Sequence, residues 1–205
     1  TATHLLERIQ GETLVVNDFG EIKSFTDQAG HTTRYDYDQG GRVKEIDYPA
    51  GDEQTWNKTS ITTVPVPGAE RGLAANHWKR TRTTGDATAV TYFDALLRPV
   101  VSDSYISGVA GSNTTVLTNY DAKGQKTFAS YPNATPLNFT TTLTGIPGTA
   151  THYDALGRTT WVTQDSELGT LTSSTAYLSG ARQQVTDPKG KVWAERFELE
   201  DFPGV

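Results

Sequence analysis

Tyr153-Asp154-Ala155-Leu156-Gly157-Arg158 reads as a reversal of the chain between two β-strands. An aromatic ring such as Tyr153 suits the end of a strand. Asp154 opens a tight turn, because its short carboxylate can accept backbone N–H bonds a few residues further on. Gly157 stands where the backbone needs a positive φ. Arg158 begins the return strand. Immediately outward, Thr159-Thr160-Trp161-Val162-Thr163 is dense in β-branched and aromatic residues, which fit a pleated surface. Two such strands around a short Gly-containing loop make a β-hairpin.

The same pattern recurs along the chain. It appears as Tyr35-Asp36-Tyr37-Asp38-Gln39-Gly40-Gly41-Arg42, as Tyr92-Phe93-Asp94-Ala95-Leu96-Leu97-Arg98 and as Tyr120-Asp121-Ala122-Lys123-Gly124-Gln125. Thr186-Asp187-Pro188-Lys189-Gly190-Lys191 and Thr26-Asp27-Gln28-Ala29-Gly30-His31 are shorter relatives. The residues expected to build the turns are Asp36, Asp38, Gly41, Asp94, Asp121, Gly124, Asp154, Gly157, Asp187 and Gly190. The aromatic recurs after 27 residues from Phe93 to Tyr120 and after 33 from Tyr120 to Tyr153, so loops of varying length join the units. From Tyr37 to Phe93 the step is 56 residues. One copy is therefore expected to be eroded near residues 55–85, where Pro65 and Pro67 break the pattern. Leu97 occupies the turn glycine's position. Leucine at positive φ is strained, so that turn is expected to differ from the others.

Repeats of this kind govern the whole reading of a chain. The units fall near 13–51, 55–88 (degenerate), 89–113, 115–147, 148–180 and 181–200, and together they span residues 1–205. Composition agrees with an all-β fold. Of 205 residues, 33 are threonine, 9 tyrosine, 7 phenylalanine and 4 tryptophan, while 19 glycines and 9 prolines supply turns. No helical period of useful length is visible. A hydrophobic content of 35% is low for a single thick core, and 20% charged residues do not mark disorder. The net charge of -6 gives no global field to attract a phosphate backbone, which argues against nucleic acid as a partner. No apolar run reaches the ~20 residues needed to span a bilayer. The chain starts at Thr1 and contains no methionine, so it is expected to be an excerpt of a longer protein.

The tandem aromatic-Asp-x-x-Gly-Arg turns at Tyr35, Phe93, Tyr120 and Tyr153, with Asp187-Pro188-Lys189-Gly190, resemble those of the Rhs/YD-repeat family. The resemblance covers residues ~13–200 at the level of the repeat. It implies tandem antiparallel β-hairpins in a curved, spiralling sheet that forms part of a shell, as in the B/C components of insecticidal toxin complexes. It also implies a secreted or bacterial cell-surface protein, flanking repeats of the same chain as partners, and an enclosed or presented C-terminal toxin domain. The alternative is a module that binds carbohydrate or another cell-surface ligand.

Residues that could carry chemistry read mainly as structure. There is no Cys, no His-Glu-x-x-His, no Gly-x-Ser-x-Gly and no P-loop. No catalytic residue, metal site or cofactor is expected. The four histidines, His4, His31, His77 and His152, lie outside metal-ligand spacing of one another, and His152 reads as a surface strand residue. The repeated aspartates could be taken for catalytic carboxylates, but their position in turns favours a structural role. Asp187-Pro188-Lys189-Gly190 resembles the motif at which family toxins cleave themselves, yet Lys191 departs from the leucine usual there, and an ordinary turn is favoured. His77-Trp78-Lys79-Arg80-Thr81-Arg82 is the one basic cluster with an aromatic. As a strand it places Trp78, Arg80 and Arg82 on one face, a possible ligand contact weighed against a solvated strand with a packed tryptophan.

Overall fold

Strands are expected wherever threonine and aromatic residues run between turn signals, and the computed structural model has that organisation. It describes residues 4–7, 11–50, 55–180 and 182–196. Residue 51 of the first outlined unit, residue 181 and residues 197–200 of the last lie outside the described residues. The chain divides into two compact units, residues 1–115 with 134–136, and residues 116–133 with 137–205. No helix occurs among the described residues.

The first unit holds β1 (His4–Glu7), β2 (Thr13–Val16), β3 (Ile22–Thr26), β4 (Thr32–Tyr37), β5 (Val43–Asp47), β6 (Thr59–Val66), β7 (His77–Thr84), β8 (Ala87–Phe93) and β9 (Pro99–Ile106). Each pairs antiparallel with the next in sequence. The second unit holds β10 (Thr114–Tyr120), which begins at the boundary, then β11 (Lys126–Ser130), β12 (Gly148–Tyr153), β13 (Thr159–Ser166), β14 (Gly169–Leu178), β15 (Arg182–Thr186) and β16 (Val192–Arg196). These too pair antiparallel in sequence order. In such a meander successive connections alternate between two edges. Connections that lead from an even-numbered strand to the next odd-numbered one therefore share an edge within each unit.

Burial is uneven. In the first unit Thr59, Val100, Val101 and Thr115 are fully buried, and Val16, Leu73, Val90 and Tyr92 nearly so. Thr59 is accommodated because its hydroxyl bonds the Thr84 hydroxyl at 2.6 Å and the Tyr48 hydroxyl at 3.1 Å, which removes the cost of an unpaired buried polar group. In the second unit Leu117 and Phe128 are buried, whereas β13, β14 and β15 bury no residue fully. Backbone ladders and cross-strand side-chain pairs, rather than a thick apolar layer, hold those strands.

The stretch where an eroded copy is expected holds two strands without a short turn. Residues 59–66 and 77–84 form two full strands in unbroken register from Thr59↔Thr84 to Val66↔His77. Pro65 is accommodated within β6, and the short turn is replaced by a loop over residues 67–76.

Candidate functional site

The repeated turns share one geometry, built from the residue at the aspartate position. In each, the N–H of that residue donates to the carbonyl four residues on, and its own carbonyl accepts from the N–H three residues on. This holds at Asn17, Asp27, Asp38, Asp94, Asp121, Asp154 and Asp187, with distances from 2.8 to 3.1 Å. It is a three-residue hairpin loop whose last position is left-handed. The side chain completes the turn. Asp154 Oδ1 accepts from the N–H groups of Leu156 and Arg158, both at 2.9 Å, and Asp38, Asp94, Asp121 and Asp187 do the same within their own turns. The second carboxylate oxygen then takes the return-strand arginine, with Nε at 2.8 Å in Asp38–Arg42 and 2.7 Å in both Asp94–Arg98 and Asp154–Arg158.

These contacts set the electrostatics. The N–H of Arg42 holds the Asp38 carboxyl below its usual range, and the N–H of Arg158 does the same for Asp154. Burial pushes Asp94 up, but hydrogen bonds from the Arg98 side chain and from the N–H groups of Arg98 and Leu96 leave it lowered. Asp27 is lowered chiefly by the N–H of His31. A carboxylate held ionised by two amides and a guanidinium is occupied as an acceptor, which suits a cap rather than a general acid or base.

Three positions differ from the sequence reading. Asp36 lies inside β4 with an exposed side chain 3.5 Å from Lys44 Nζ; Asp38, two residues later, is the turn aspartate. Leu97 adopts φ 59° and its turn keeps the common hydrogen bonds, so the turn expected to deviate does not. Asn17-Asp18-Phe19-Gly20-Glu21 is a further copy that the Tyr-Asp pattern missed. Here Asn17 Oδ1 accepts from the N–H groups of Phe19 and Glu21, both at 3.0 Å, and Asn17 Nδ2 donates to Glu21 Oε2 at 2.6 Å. The cap and its return-strand partner have exchanged donor and acceptor roles.

Topology sorts the turns. Asn17, Asp38 and Asp94 lie on the even-to-odd edge of the first unit, and Asp121 and Asp154 on that edge of the second. The Thr-Asp turns at Asp27 and Asp187 lie on the opposite edges. Tyrosines that precede two of the even-to-odd turns make a further bond. Tyr37 Oη donates to the Ile22 carbonyl at 2.8 Å and Tyr153 Oη to the Lys126 carbonyl at 2.8 Å. Ile22 and Lys126 are each the fifth residue after the cap of the neighbouring turn on the same edge. Tyr177 repeats the contact, donating to the Thr159 carbonyl at 3.1 Å. Gln125 Nε2 reaches the Gly157 carbonyl at 2.9 Å and Lys123 Nζ the Ala155 carbonyl at 2.6 Å. The Asp38 turn is thus tied to the Asn17 turn, the Asp154 turn to the Asp121 turn, and the β14–β15 connection to the Asp154 turn, each two strands apart, whereas Phe93 before Asp94 has no hydroxyl to make such a bond.

A second cluster sits under the loop at 67–76. Register places Lys79, Tyr92 and Val101 in one row, and Thr81, Val90 and Asp103 in the next, on a single face. The loop folds over that face. Arg71 Nη2 donates to Asp103 Oδ1 at 2.7 Å, where the Thr115 hydroxyl also donates at 2.6 Å. Lys79 Nζ donates to Glu70 Oε1 at 2.8 Å. That bond, more than the opposing effect of burial, lowers the Glu70 carboxyl. Burial, with Glu70 and Asp103 nearby, pushes the Tyr92 phenol up. Nothing local in the sequence marked Glu70, Arg71 or Asp103, since Arg71 meets Asp103 across 32 residues.

On the opposite face, Trp78 pairs across the ladder with Phe93. The Arg42 guanidinium lies 5.6 Å from the Trp78 ring and that of Arg80 lies 5.6 Å from Phe93. Two of the three residues weighed as ligand contacts are therefore engaged within the protein, and Arg82 is exposed. His152 stacks on Trp161 at 4.3 Å as an exposed strand residue. Among the described residues no group of three His, Asp or Glu could hold a metal ion, and no helix is long and apolar enough to cross a membrane.

A family profile described as RHS Repeat matches residues 17–53, the stretch from the Asn17 turn through the Asp38 turn. No curated protein matches the chain. Among solved structures it is similar to a chain in the crystal structure of TcdB2-TccC3-Cdc42, with a TM-score of 0.57 and 15% identity. It is also similar to a chain in that of TcdB2-TccC3-TEV, with a TM-score of 0.58 and 14% identity. Each match covers 89% of this chain and 9% of the other, so the chain spans less than a tenth of the length of these structural relatives. The RHS Repeat match at residues 17–53 and the antiparallel all-β fold, which resembles that of chains in the TcdB2-TccC3 structures, are thus what this chain shares with known proteins.

Proposed function

We propose that this segment is part of the wall of an Rhs-type β-shell that encloses or presents a toxin domain carried by the same, longer protein. The observation that carries this reading is the tie between same-edge turns. A sheet that adds one hairpin at a time, with turns tied to the one before where a tyrosine precedes them, can grow into a wall without a thick core. Its side chains cap and brace, so the role is architectural. The fold likeness to TcdB2-TccC3 supports a wall, and the partners on this reading are flanking repeats and the enclosed domain. Rhs-type proteins of this build act outside the cell or on its surface, and the segment is assigned there with them.

The test is protease protection of the domain that follows the repeats in the parent protein. The intact parent should shield it from a broad-specificity protease under native conditions. Removal of the β8–β9 hairpin, residues 87–106, should open the wall and expose it to cleavage. Equal cleavage with and without the hairpin would count against enclosure.

A further inference from the structure

The imidazole of His77 has a hydrogen-bonding problem. Its side chain is 4% exposed. Nδ1 lies 2.9 Å from the Ala74 carbonyl, which only accepts, so Nδ1 carries the proton in the neutral ring. Nε2 is then a bare lone pair. It is buried with no hydrogen-bond partner, and Glu70 Oε1, another acceptor, stands 3.5 Å away. A neutral imidazole has one proton to give, and this site presents two acceptors.

The residues around it belong to the loop at 67–76 and to the strands beneath. From the loop come Glu70 and Arg71; from β7, Lys79; from β8, Tyr92, whose ring centroid lies 6.2 Å from that of His77; and from β9, Asp103. Lys79 shares Glu70 Oε1, and Arg71 is held by Asp103, so each cation already has a carboxylate. The loop needs such pins. Arg71 sits at φ 54° and Asn76 at φ 67°, a left-handed backbone that is costly for residues with a side chain.

We propose that the loop at 67–76 is an acid-tightened latch, in which a second proton on His77 Nε2 turns an acceptor–acceptor contact with Glu70 into a charge-assisted hydrogen bond. Glu70 can serve because its hydrogen bond from Lys79 lowers its carboxyl and so favours the ionised form. Acidification then strengthens the bond between loop and sheet instead of loosening it. This inference stands apart from the shell reading and needs no toxin domain.

Amide hydrogen exchange on the whole chain tests it. The N–H of Leu73 donates to the Glu70 carbonyl at 2.9 Å and that of Asn76 to the Val66 carbonyl at 2.7 Å, so both report loop opening. After correction for the intrinsic exchange rate, their opening constants should fall on the order of threefold to tenfold between about pH 7.5 and about pH 5.5. The amide of Val101 in β9 serves as the reference for the sheet. The response should vanish in His77→Gln. It should also vanish in Glu70→Gln, which keeps the side-chain volume and guards against a misfolded histidine variant. Loop opening that is unchanged or increased by acid in the native chain, or an acid response that persists in Glu70→Gln, would overturn the latch.

Discussion

Leu97 sets two residue-scale effects against each other. Left-handed backbone costs a residue with a side chain about 1–2 kcal/mol. Against it stand two amide bonds to the Asp94 carboxylate and a guanidinium held by it, with the Asp94 side chain only 14% exposed. Hydrogen bonds to a charged group contribute about 1.5–3 kcal/mol each, so the cap wins and the turn keeps its shape without glycine. Leu97→Gly should therefore stabilise the chain by about 1 kcal/mol in a urea titration, since the side chain is 60% exposed and little packing is lost. A destabilised variant would show that Leu97 has a packing role. Asp94→Ala should cost about 2–3 kcal/mol by the same measurement, because two amides and Arg98 lose their acceptor together. The aspartates were legible in the sequence because the turn is local and its chemistry is written within five residues. Leu97 was misjudged because sequence position gives the strain but not the strength of the cap that opposes it.

Hairpins carry the element-scale argument. Strand content and turn positions were readable from threonine-rich runs between Asp-x-x-Gly signals, and they correspond to β-strands on either side of each turn. Two elements were not readable. The Asn17 turn exchanges the donor and acceptor of its side-chain pair, so a search for Tyr-Asp passes over it, although Gly20 at φ 81° keeps the pattern. The loop at 67–76 carries no turn signal, and its anchors, Glu70 to Lys79 and Arg71 to Asp103, are tertiary. The second unit has its own sensitive point at Gly148, the first residue of β12. A Cβ there would meet the Ala129 carbonyl oxygen of the paired strand and come within 2.6 Å of Phe128 Cζ. Phe128 is 5% exposed, so it has little room to move. Gly148→Ala should destabilise the chain by about 3 kcal/mol or more, seen as a lower urea midpoint. A variant as stable as the native chain would mean that β11 and β12 are not held at this spacing.

For the whole molecule, the repeated caps make acid stability a shared property. Asp27, Asp38, Asp94 and Asp154 all have carboxyls lowered by their turns. A carboxyl lowered on folding contributes stability that is fully present above its unfolded value and is lost as pH falls through the folded one. The urea midpoint should hold steady down to about pH 5 and drop below about pH 4, near the unfolded aspartate value. A midpoint that rises below pH 4 would contradict the capping assignment.

The central claim is that a tyrosine before the turn aspartate, as at Tyr37-Asp38 and Tyr153-Asp154, couples its turn to the neighbouring turn on the same edge. Tyr153 caps its own hairpin end, and its hydroxyl holds the Lys126 carbonyl next to the Asp121 turn. Amide exchange in Tyr153→Phe examines that coupling directly. The amides of Gly124 and Gln125, which donate to Asp121, should lose protection together with those of Gly157 and Arg158, by on the order of fivefold for one lost hydrogen bond of about 1 kcal/mol. Loss confined to Gly157 and Arg158, with Gly124 and Gln125 unchanged, would mean that the turns stand independently and that the repeat is a row of separate hairpins.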